Sequence, residues 1–227
     1  MQELSYDAQK RLKEEQVRAK LKRLGGLDDP KVNAIIGADT LKYYRNKAVF
    51  AVGPHGEVGF VKGKTHFVMD IDDCLLQTDA AMVCADALRA FLKQTGVREI
   101  TQLTVRTAFG TGEIMAVLES DKKDVPQIEK LVEMFDDAVY SLSCDEEGNP
   151  AADAQVYSLE SVALIHKGKC RIIAGKPTIT EEFITDGSVL KFEISPQSFF
   201  QVNPEQMVKL YDKAAEYADL KGGETVL

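Results

Sequence analysis

The sequence predicts a mixed α/β fold of the α+β kind, a mixed and largely antiparallel sheet with helices packed on it. Three observations predict it. Short apolar segments come in pairs around glycine-containing turns, as hairpins do. Beside them lie stretches with apolar residues at helical spacing, bounded by capping residues. The apolar share of 44% over 227 residues is that of a globular chain, enough for one large domain or two small ones.

The first element is a helix over 6–24. Ser5 caps it, Asp7 favours its first turn, Leu12, Val17, Leu21 and Leu24 form a narrow apolar stripe, and Gly25-Gly26 stops it. Residues 43–53 read as a strand, Gly53-Pro54-His55-Gly56 as a turn, and 57–61 as the returning strand, with a further strand over 66–71. Thr78-Asp79 caps a helix running to Gln94 and closed by Gly96. Strands follow over 99–108 and 114–119 around Gly110-Thr111-Gly112, then a helix from Pro126 to Phe135 and a strand over 138–143. The acidic stretch 145–153 reads as a loop, 162–166 and 170–174 as a hairpin around Lys167-Gly168-Lys169, and 190–194 as a last strand. Asn203-Pro204 opens a final helix with Gln206 completing an Asn-x-x-Gln capping box, and Met207, Leu210, Tyr211, Ala214 and Ala218 share one face.

The net charge is −8, yet residues 1–64 carry 13 Lys+Arg against 8 Asp+Glu. A contact with RNA therefore belongs on the N-terminal third, where Arg45, Lys47, Lys62 and Lys64 lie among aromatics on a hairpin; an ordinary solvated hairpin has the same spacing. Met1 to Ser5 lead into a charged helix and no apolar run is long enough for a membrane span, which makes a soluble cytoplasmic protein the default. Cys74, Cys84, Cys144 and Cys170 have no Cys-x-x-Cys spacing, and Cys84 falls on an apolar helical stripe. Asp70, Asp72 and Asp73 lack the glycine of a calcium loop and read as a solvated strand end. His55, His66 and His166 are scattered, and there is no glycine-rich phosphate loop.

The segment Phe192 to Pro204 is the most specific in the chain. Gln201 stands between two aromatics and a helix-starting Asn-Pro, where core sequence rarely places an amide. Together with Leu4-Ser5-Tyr6 heading a helix that ends in Gly-Gly, Tyr44-Arg45-Asn46-Lys47, Gly59-Phe60 and the stretch from His66 to Cys74, the run Phe199-Phe200-Gln201-Val202-Asn203 resembles the bacterial RNA uracil-C5 methyltransferases. The likeness extends from Leu4 to Leu227 and is weakest over 79–187.

The resemblance implies methyl transfer from S-adenosylmethionine to C5 of a uridine, with RNA as partner, 23S ribosomal RNA the preferred substrate and transfer RNA the other. It implies that Gln201, and Phe199 beside it, lie at the donor and flipped-uridine pocket. It implies that Cys74 is the fourth ligand of a 4Fe-4S cluster whose other three ligands precede the residues present. The family's nucleophilic cysteine, its base and its donor-binding glycine turn would lie past Leu227, so this chain is expected to be inactive alone, to hold no cluster, and to be part of a longer enzyme. On that reading 1–40 is a helix and linker, 41–76 a basic hairpin segment, 77–190 a central α/β domain, and 191–227 the start of a Rossmann-like donor domain most of which is absent. Segments 44–60 and 195–227 would then lose cover and be mobile, rearranged or buried in a dimer. The competing readings are a stand-alone RNA-binding or adaptor domain without catalysis and a small-molecule-binding α/β domain with a closed apolar pocket.

Overall fold

The computed structural model describes residues 3–144, 149, 155–185 and 188–225. The chain divides into two compact units, one formed by its two ends, up to Asp39 and from Lys209, the other by Thr40–Val208.

In the unit of the two ends, α1 (Tyr6–Gly25) starts where the Ser5 hydroxyl accepts from Ala8 N at 3.3 Å and ends at Gly26, whose φ of 67° only glycine adopts readily. The helix buries none of its residues, so the stripe of Leu12, Val17, Leu21 and Leu24 does not form a core. What holds the following segment is polar. Tyr6 Oη accepts from Ala38 N at 2.6 Å and Glu14 Oε1 from Ile35 N at 2.7 Å. Lys209 Nζ bonds Gly37 O at 3.4 Å and pairs with Asp39 at 2.7 Å.

The second unit is built on a seven-stranded sheet. Its strands are β1 (Lys47–Val52), β2 (Val58–Val61), β3 (Val68–Asp70), β4 (Ile100–Thr107), β5 (Glu113–Ser120), β6 (Ser158–His166) and β7 (Lys169–Gly175), in the order β3-β2-β1-β4-β5-β6-β7. All neighbours are antiparallel except β5 and β6, whose parallel pairing requires the crossover that α3 (Ile128–Ser141) supplies. With α2 (Asp79–Thr95), α3 covers one face. The main core lies there, where Ala48, Phe50, Leu103, Val105, Ala116 and Leu118 meet Cys84, Leu88, Phe91, Leu131 and Phe135.

On the other face stands a two-stranded ribbon, β8 (Ile179–Thr185) and β9 (Ser188–Ile194). Ile179 and Ile194 close a smaller core on Ala108, Met115, Val117 and Ala163. The last helix, α4 (Pro204–Ala218), begins in this unit with Pro204 and Met207 buried, and Asn203 Oδ1 caps it by accepting from Gln206 N at 3.0 Å.

Three sequence expectations need correction. Residues 138–141 are the last turn of α3, not a strand: Leu131, Phe135 and Val139 recur at helical spacing and are all fully buried, so packing overrides the β-branched and aromatic composition. The strand β8 had no counterpart in the sequence reading. The hairpin of β1 and β2 keeps the cover of its inner face, where Phe50 is 0% exposed and stacks on Phe60 at 5.7 Å, while Val49 on its other face is 40% exposed. In the 195–227 segment, by contrast, Phe199 and Leu210 are exposed while Met207 is buried. The predicted loop 145–153 lies, apart from Asn149, outside the described residues, as do Val226 and Leu227.

Candidate functional site

The segment that follows β9 is bound to the sheet by two side chains that the sheet itself buries. Arg106 on β4 is 4% exposed, and its Nη2 donates to the carbonyls of Ser198 and Pro196. Burial pushes its pKa down from the ordinary arginine value, but a guanidinium stays charged at any physiological pH. Asn46, 5% exposed, donates from Nδ2 to Gln201 O at 3.0 Å and from its backbone N to Val202 O at 3.1 Å. Its own carbonyl accepts from Thr107 N at 2.9 Å, which ties the start of β1 to the end of β4. A hydrogen bond from a charged donor contributes about 1.5–3 kcal/mol, so the Arg106 contacts are a large share of what fixes this segment.

The consequence is a fixed backbone with a free side chain. Among the described residues the Gln201 side-chain amide makes no hydrogen bond, and Phe199 is 83% exposed. Phe200 turns the other way and stacks on Phe183 at 6.1 Å, with Phe192 5.8 Å away. Of the two residues singled out from the sequence, Phe199 is presented outward, and Gln201 is partly buried on the same clamped segment.

The basic residues gather at one end of the sheet. Lys47 is paired across the ladder with Arg106, and burial, then the Arg106 charge, lower its pKa from the ordinary lysine value while Glu119 opposes. Arg45 precedes β1 and bridges Gln77. Lys62 and Lys64 are exposed on the β2–β3 turn, and the pairing of Ala51 with Gly59 and Val52 with Val58 brings that turn back toward the start of β1. Among the described residues, Arg45 Nε, Arg106 Nε and Gln77 Oε1 are buried without a partner, an expensive condition for polar atoms.

Cys74 lies in the loop after β3, partly buried against the main core. No group of three or more His, Cys, Asp or Glu side chains that could hold a metal comes together among the described residues. The described residues therefore do not bring together the four ligands of an iron–sulfur cluster. Asp70 is committed elsewhere, accepting from Val58 N at 3.0 Å and from Arg89 Nε at 2.9 Å. Of the other cysteines, burial pushes the Cys84 thiol up to about 12 and raises Cys170.

The structure also shows a cleft that the sequence reading missed, an open-sided space of about 470 Å³ on the ribbon side. Tyr43, Tyr44, Phe109 and Phe183 line it, with Glu182 and Asn203. Tyr43 has φ 55°, a left-handed conformation that costs a non-glycine residue about 1–2 kcal/mol. It is held there by Tyr43 N donating to Leu75 O at 2.8 Å and Arg45 N to Leu76 O at 3.0 Å. Behind the cleft, Glu181 is fully buried and accepts from three backbone amides, Gly110 N at 2.6 Å, Phe109 N at 2.9 Å and Glu182 N at 3.1 Å. Burial pushes its carboxyl up, against the pull of those amides. Gly110 is obligatory at this contact, because a Cβ there would strike the Glu182 carbonyl.

No protein-family model matches the chain. Its sequence matches an "uncharacterized RNA methyltransferase" of Caldanaerobacter subterraneus at 34% identity over 241 aligned positions, which cover all of this chain and 50% of that protein. Proteins described in the same words from Staphylococcus aureus, at 32% identity, and Clostridium tetani, at 34%, match all of the chain and about half of their own length. The chain spans about half the length of the curated relatives it matches. Among solved structures, the fold matches the Pyrococcus abyssi tRNA (uracil-54, C5)-methyltransferase in complex with S-adenosyl-L-homocysteine, with a TM-score of 0.66 and 21% identity, over 95% of this chain and 49% of that one. All of this chain aligns with about half of each of these RNA methyltransferases, proteins of the kind its motifs resemble. Its fold is that of the corresponding half of a uracil-C5 enzyme.

Proposed function

We propose that this chain is the RNA-holding and donor-facing part of an S-adenosylmethionine-dependent enzyme that methylates C5 of a uridine in RNA, with 23S ribosomal RNA as substrate. The observation that carries the reading is Gln201, whose backbone is clamped by Asn46 and whose amide is left uncommitted. An amide that donates and accepts suits a uracil edge or the methionine part of the donor. S-adenosylmethionine supplies the methyl group in this chemistry, and Gln201 with Phe199 would orient it or the flipped base. Arg45, Lys47, Lys62 and Lys64 would track the phosphates.

Attack on C6 of a uracil needs a thiolate, and two of the cysteines here, Cys84 and Cys170, are poor candidates. Cys84 is buried with its thiol near 12, and burial raises Cys170 as well. On this reading the chain alone transfers no methyl group, and Cys74 ligates a cluster only when other ligands join it. The protein would act in the cytoplasm; no helix among the described residues is long and apolar enough to cross a membrane. Exposed Phe199 and Leu210 would find cover against another surface, in a dimer if not in the same enzyme.

The test uses the full-length parent with labelled S-adenosylmethionine and unmodified 23S and transfer RNA. Label at C5 of a uridine in 23S RNA is expected. Gln201→Ala should lower the rate by about tenfold, the worth of one or two lost hydrogen bonds. Label on transfer RNA alone would move the substrate assignment, and label on another base would end the proposal.

A further inference from the structure

We propose that the cleft between Tyr43, Phe109 and Phe183 takes an unpaired nucleobase of the bound RNA, one other than the uridine that is methylated. The inference rests on the reading of the chain as part of an RNA-modifying enzyme and extends it to a site of its own. Four aromatic rings line the cleft, and its volume of about 470 Å³ is that of a small-molecule site. Single-stranded RNA is recognised by bases laid on such rings.

The polar groups at its rim suit a base edge. Asn203 spends its side-chain oxygen on Gln206 N, which leaves its NH2 to donate. Glu182 can accept, and its charge is balanced by Lys191 at 2.6 Å, so it does not repel a polyanion as a bare carboxylate would. The chain enters the cleft as Lys42-Tyr43-Tyr44-Arg45, two rings bracketed by two cations, with Lys47 beyond. That alternation gives phosphates and bases each a partner along one strand, and it favours RNA over an apolar protein segment. The left-handed Tyr43, pinned on both sides by hydrogen bonds, keeps its ring at the cleft despite the backbone strain.

The experiment follows binding of the 227-residue chain to short single-stranded RNAs carrying 2-aminopurine, in a salt series. Three variants are compared with wild type: Tyr43→Gly, which fits the positive φ and removes the ring, Phe109→Ala, and Arg45→Ala. The expected result is quenching on binding and about tenfold weaker affinity for Tyr43→Gly and Phe109→Ala, one lost base–aromatic stack, with an unchanged salt slope. An abasic site in place of 2-aminopurine should weaken wild type equally and Tyr43→Gly no further. Arg45→Ala should instead flatten the salt slope. If Arg45→Ala weakens binding while Tyr43→Gly binds like wild type, the cleft proposal fails and the RNA reading survives. If no RNA binds to the wild-type chain, both fail. If Tyr43→Gly changes the sedimentation of the chain and not its RNA affinity, the cleft is a contact between copies and the proposal is overturned.

Discussion

Replacing Glu181 with glutamine should destabilise the sheet unit although it removes a buried charge. The carboxylate accepts Gly110 N and Glu182 N on one oxygen and Phe109 N on the other. A glutamine has one acceptor oxygen. With that oxygen placed toward Gly110 and Glu182, its NH2 faces the Phe109 N–H and leaves a buried donor unpaired. Such a donor costs about 1–3 kcal/mol, or about 3–10 °C in Tm for a chain of this size. Thermal unfolding followed by circular dichroism at several pH values is the assay. The sign with pH follows from the raised carboxyl. The folded state holds the Glu181 proton more tightly than the unfolded one, so the contribution of this group is full below the ordinary glutamate range and is lost as pH rises through the raised value. The gap between wild type and Glu181→Gln should therefore narrow as pH rises. A variant as stable as wild type would refute the role of the three amides, and a gap that widens with pH would refute the dominance of burial over them.

The other expectations are read from neighbouring contacts. Gly110→Ala should lower stability by about 1–3 kcal/mol through the clash with the Glu182 carbonyl, measured by denaturant unfolding. Asn46→Ala should loosen the 196–202 segment, seen as faster amide exchange at Gln201 and Val202 with strand exchange in β5 and β6 unchanged. The purified chain should be colourless and iron-free, with Cys74 open to a thiol-specific reagent; stoichiometric iron with visible absorbance would contradict the missing-ligand reading. Labelled S-adenosylmethionine and unmodified RNA should give no incorporation with this chain alone.

Most of the fold is visible in the amino-acid pattern because the pattern is where the burial is. The caps Ser5, Thr78 and Asn203 all form as their sequence positions suggest. Residues 100–107 and 113–120 alternate or run apolar because both faces of the central strands are covered. The exceptions have physical causes. β8 reads Ile-Thr-Glu-Glu-Phe-Ile-Thr, and its inward position is taken by Glu181, chosen for the amides of the β4–β5 turn and not for hydropathy. The end of α3 looked like a strand because Val139 and Tyr140 favour one locally, while the helical recurrence from Leu131 to Val139 is satisfied only by packing.

The same division holds for the candidate site. Gln201 stood out because an amide among aromatics is unusual, but the residues that hold it, Asn46 and Arg106, lie 155 and 95 positions away and carry no local signal. Asn46 was visible only as part of a motif, and Arg106 looked like any strand arginine. The cleft is assembled from the 40–44 loop, the β4–β5 turn, β8 and the start of α4, and a site divided among four segments leaves no spacing to read.

The central claim is that this chain serves methylation of C5 of a uridine in RNA. The most direct measurement is the 5-methyluridine content of 23S ribosomal RNA and transfer RNA, by nucleoside mass spectrometry, from cells with and without the encoding gene. The account predicts the loss of 5-methyluridine from 23S RNA at one position and its return when the full-length gene is restored. Unchanged 5-methyluridine in both RNAs, or the loss of a methyl group from a different nucleoside, would contradict it.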